Sequence, residues 1–150
     1  MSAASRTLGA IGVVIAMSIP SPGATLHAQA RDAAAPSPFD PIARRVLVLK
    51  VESQALRDRL NEGWPPPGWT DSLAAMRAGV ALLMVEALRL KDQARTVAPQ
   101  LLALVERAGV SLETLGGTRD QRSARTALAH LSAGLDALQQ KISEGEAREE

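Results

Sequence analysis

A chain of 150 residues with 17 basic and 16 acidic side chains, two Trp, one Phe and no Tyr lacks both the basic excess and the stacking aromatics that nucleic-acid binding draws on. It contains no cysteine, which excludes disulfides, thiolate metal sites and thiol chemistry, so apolar burial alone must hold its fold. The length allows one folded domain.

The N-terminal stretch reads as a targeting segment. Arg6 precedes an uncharged apolar run, Leu8 to Ile19; Pro20, Pro22 and Gly23 end it, and Ala28-Gln29-Ala30 supplies small residues for cleavage. The run is shorter than the roughly 20 residues a bilayer-spanning helix takes. We therefore expect a signal peptide over residues 1–30, a periplasmic or secreted protein, and no stable membrane anchor once the signal is cleaved. Without Arg6 the remaining chain carries 16 basic and 16 acidic residues, a balance of zero.

Residues 31–39 (RDAAAPSPF) are rich in alanine and proline and are expected to form a disordered linker. Asp40-Pro41 then signals a helix start, because aspartate caps free N–H groups and proline tolerates the first turn. Ile42, Val46, Leu49, Ser53, Leu56 and Leu60 alternate spacings of four and three, one apolar stripe on a first helix that stops at Gly63.

Glu62–Thr70 reads EGWPPPGWT and holds both tryptophans. Three prolines favour an extended polyproline II segment. The expectation is a stiff corner between helices, plugged by Trp64 and Trp69. The same two residues are candidates for an interaction surface, since proline flanked by indole suits an aromatic-lined groove.

The longest stripe follows: Leu73, Met76, Val80, Leu83, Ala87, Leu90, Ala94, Val97, Leu101, Leu104 and Ala108. Pro99 interrupts it chemically, at a cost of about 3 kcal/mol in a helix interior. Either one long helix from Ser72 to Ala108 kinks near Ala94–Thr96, or the chain breaks at Thr96 and Pro99 enters the first turn of another helix. The unbroken phase of the stripe favours the kink. Val110–Gly117 reads as a connector. Thr118 and Gln121 resemble a capping box for a last helix, about Arg119 to Ser143, with the stripe Ala124, Leu128, Leu131, Leu135, Leu138 and Ile142.

The fold class is therefore all-α: an antiparallel bundle or hairpin with coiled-coil-like packing, with three long helices, or four if broken at Pro99. The helical domain is expected over residues 40–146, with a frayed tail over 147–150. A kinked second helix would outrun the first, leaving Val97, Leu101 and Leu104 short of a partner. These three are the main candidate interaction surface, for a homodimer or a helical partner protein.

No catalytic, cofactor-binding or metal-ligating set emerges, and the chain is not expected to be an enzyme. After residue 30 one histidine remains, His130, so no histidine-pair metal site can form. The leading expectation is protein–protein interaction or structural assembly through apolar stripes. The alternative is a bundle that holds a small hydrophobic ligand or a non-covalent haem in its core. His130 and Met76 or Met84 would be the axial ligands.

Overall fold

The computed structural model describes residues 35–149; the expected signal peptide lies outside them. Among the described residues are four helices and no strand: α1 (Asp40–Glu62), α2 (Trp69–Arg89), α3 (Ala98–Gly116) and α4 (Gln121–Glu149). Each packs on two neighbours in a closed ring, α1 on α2, α2 on α3, α3 on α4 and α4 on α1. The result is a helical bundle around one continuous apolar core.

The core stripe of α1 is the expected one: Ile42, Val46, Leu49, Ser53, Leu56 and Leu60 are all buried. Ser53 is tolerated there because its hydroxyl donates to the Lys50 carbonyl at 3.0 Å. The helix begins differently from expectation. Phe39, counted with the disordered linker, is the N-cap residue and is fully buried. Asp40 follows as the first helical residue, where its charge suits the helix N-terminus.

The kinked-helix expectation is overturned. The chain leaves the helix after Arg89 and reverses through turns at Leu90–Val97, and α3 folds back against α2. Pro99 sits in the first turn of α3, where no intrahelical partner for its nitrogen exists. The stripe kept its phase for a local reason. In the turns Ala94 N–H donates to Leu90 O at 2.7 Å and Ala98 N–H to Ala94 O at 2.9 Å. These helix-like bonds keep Leu90, Ala94 and Val97 buried while the chain direction changes.

The expected connector at Val110–Gly117 is also helical. The burial pattern of α3 runs Ala98, Leu101, Val105, Ala108, Leu112, Leu115, so its apolar face continues past Gly109 and helix packing overrides that glycine. The true cap of α4 is Asp120, not Thr118. An Asp120 carboxylate oxygen accepts the Ser123 backbone N–H at 2.8 Å, and that bond, ahead of the Ser123 hydroxyl, holds its carboxyl below the usual range. Thr118 instead donates its hydroxyl to Leu115 O, and Gln121 donates its side-chain amide to the Leu60 carbonyl at the end of α1.

Two glycines inside helices differ in what surrounds them. A Cβ on Gly79 would lie 2.7 Å from a Leu49 methyl, whereas one on Gly134 would meet nothing within 4 Å. Alanine gains up to about 1 kcal/mol over glycine inside a helix. Gly134→Ala should therefore stabilise the fold by up to that ~1 kcal/mol. Gly79→Ala should lose about 1 kcal/mol net, as overpacking of about 1–3 kcal/mol outweighs the same gain. Denaturant midpoints check this; shifts in one direction for both variants would refute the α1–α2 contact.

Candidate interaction face

Val97 and Leu101 are buried in the core of a single chain, and Leu104 is half-buried against it. The strip expected to lie uncovered there is covered. Its exposure presupposed one helix of about 55 Å at 1.5 Å per residue. The break divides that length between α2 and α3, of 21 and 19 residues, and α4 packs along α3.

Trp64 and Trp69 meet edge to face, with ring centroids 5.1 Å apart and planes at 69°. Both are half-buried and rest on the core. The prolines do not continue as one extended segment. Trp69 N–H donates to Pro66 O at 3.2 Å, closing a tight turn with Pro67 and Gly68 at its centre. Gly68 takes φ +69°, a left-handed conformation that favours glycine. Arg59 pins this corner, donating to Pro67 O at 3.0 Å and to the Ser72 hydroxyl at 2.9 Å. The corner sets the junction of α1 and α2.

The apolar surface lies elsewhere. With the core closed, α1 still presents Leu47, Val48 and Val51, which are 51%, 56% and 70% exposed. Beside it α2 presents Leu82, Val85 and Leu88, with Ala75 and Ala78 also exposed. Val48 and Ala55 of α1 and Ala75 of α2 line the outer groove between the two helices. At one end this groove widens into a cleft of about 660 Å³ whose lining includes Arg44, Arg45, Glu86, Arg89 and Gln93. Glu86 pairs with Arg89 at 3.1 Å, and Arg44 and Arg45 against Asp40 leave the lining with a small positive excess. The exposed aliphatic side chains of this face thus adjoin charged ones, Glu52 and Arg59 in the groove among them.

Neither the core stripes nor the tryptophan corner points to this face. The signal was present. Val46–Val51 reads VLVLKV, more apolar positions than one stripe can use, and Ala78–Leu88 holds a single charge, Glu86.

The residues considered for a haem are not brought together. His130 is exposed on α4, Met76 is buried on α2 and Met84 is half-buried; α2 and α4 are not neighbours in the ring. Among the described residues no group of three or more His, Asp or Glu side chains is placed to hold a metal ion. No helix among them is long and apolar enough to cross a membrane. Comparison with protein-family models, curated proteins and solved structures finds no match.

Proposed function

We propose that this chain is an exported helical protein that works by protein–protein contact through the outer face of α1 and α2, and not by catalysis. One observation carries the reading: Leu47, Val48 and Val51 of α1, and Leu82 and Val85 of the neighbouring α2, stay exposed although the core beneath them is complete. Solvating these apolar side chains is unfavourable, and a partner helix or a second copy would remove them from water. The export half of the proposal rests on the run Leu8–Ile19 and the small residues at Ala28–Ala30.

We further infer that neighbouring helices run antiparallel, with heptad-like packing. Along α1, Phe39 lies against Gly145, Lys50 pairs with Asp136 at 2.7 Å, and the Leu60 carbonyl accepts from Gln121. Rising numbers on one helix meet falling numbers on the other. The 4-3 burial spacing of α1 supports the packing mode.

A photo-cross-linking residue placed at Val51, compared with one at the exposed Ala133 on α4, tests the face in cells. Adducts of discrete mass at position 51 and not at position 133 are expected. Equal labelling at both positions, or none at either, would refute the proposal.

A further inference from the structure

Building on that interaction reading, we propose that the occupant of the α1 face is a second copy of this chain, docked antiparallel with Val51 at the two-fold axis. The outer side of α1 carries a second stripe, opposite the buried one. Arg44, Val48, Val51, Ala55 and Asp58 follow spacings of four, three, four and three, and every one of them is exposed. Leu47 and Gln54, also exposed, widen it.

This stripe is complementary to its own reverse. Antiparallel pairing about Val51 sets Val51 against the second copy's Val51 and Leu47 against Ala55, a large side chain over a small one. It sets Val48 against Gln54. Seven residues out on each side, about 10 Å along the helix, Arg44 meets Asp58. The contact is isologous, so that ion pair forms twice. Among the described residues neither Arg44 nor Asp58 has an ion-pair partner within its own chain. Asp58 instead accepts a hydrogen bond from Gln54 at 2.9 Å.

A parallel arrangement would place Arg44 on Arg44 and Asp58 on Asp58, so the charges select the antiparallel one. One turn beyond the matched stretch Asp40 would approach Glu62, which confines the favourable contact to Arg44–Asp58. The same charge layout argues against an anionic bilayer as the occupant, because Asp58 and Glu62 occupy one end of the face.

The test is the mass of the chain as purified from expressing cells, by light scattering across a wide concentration range, with helicity as the folding control. The wild type should be a dimer. Val51→Glu should be a folded monomer, since it adds like charges at the axis. Arg44→Glu should weaken dimerisation about tenfold. Arg44→Glu with Asp58→Arg should restore it, because the double exchange rebuilds both pairs in reverse. A wild type that stays monomeric would overturn the proposal. So would a dimer indifferent to Val51→Glu, a double exchange that fails to restore it, or a monomeric wild type retained on anionic phospholipid vesicles. A monomeric wild type that forms adducts with another protein at position 51 would overturn the second copy while leaving the interaction face standing.

Discussion

Leu101→Asp is expected to leave the chain unfolded at 25 °C. The Leu101 side chain is fully buried on α3, on the face that also buries Ala98, Val105, Ala108, Leu112 and Leu115. Removing it forfeits the transfer free energy of its methyl groups and leaves a cavity, together about 2–5 kcal/mol for a truncation to alanine. A carboxylate adds the cost of burying a charge without a partner. The sum rivals the whole stability of an ordinary domain, about 5–15 kcal/mol. Helical circular dichroism should collapse for Leu101→Asp and survive, with a lower denaturant midpoint, for Leu101→Ala. Two controls grade the effect. Leu104→Asp, at a half-buried site, should cost less, and Val110→Asp, at a position 68% exposed, should be close to neutral. A folded, soluble Leu101→Asp monomer would instead mean that this strip is a surface.

The contrast between Leu101 and Val51 shows what was legible in the sequence. The 4-3 stripes identified the buried faces of α1, α2 and α4 almost residue for residue, because an apolar stripe on a helix is stable only when covered. What failed was the step from stripe to chain direction. Periodicity records which residues face the core and not whether the axis continues. The turns at Leu90–Val97 keep helix-like bonds and helix-like burial, so Pro99 was the better indicator of the break. The exposed apolar face is hidden in the sequence for the converse reason. A residue off the core stripe is ordinarily solvated, and only an excess such as Leu47, Val48 and Val51 on one helix marks a second apolar side. The Trp64–Trp69 corner was legible as a corner but not in shape. Its turn depends on Gly68 and on Arg59 reaching across from α1, and long-range hydrogen bonds leave no local pattern.

Phe39→Ala should cost about 3–5 kcal/mol, the usual range for truncating a buried phenylalanine, although the residue precedes the first helix. Two features that each looked unimportant in the sequence account for this. Phe39 ends a proline-rich lead-in, and Gly145 lies past the expected end of the last helix at Ser143. In the structure they are one contact. A Cβ on Gly145 would lie 2.8 Å from the Phe39 ring, so the missing side chain is the space the ring occupies. The ring's backbone is held as well: Phe39 N–H donates to the Ser37 hydroxyl at 3.2 Å, and Asp40 N–H to Ser37 O at 3.0 Å. This contact explains why α4 continues to Glu149, well past the expected end at Ser143. The last turns of α4 gain a buried partner from the entry to α1. Gly145→Ala should therefore destabilise in the same direction, since a fully buried ring has little room to yield. In a Phe39→Ala background the added methyl should do less harm, because the cavity accepts it. The two changes are in direct contact, so their effects should not add. A double-mutant cycle on denaturant midpoints measures that coupling. Strict additivity would show that ring and glycine do not touch, and an unchanged midpoint for Phe39→Ala alone would show that the lead-in contributes nothing to the bundle.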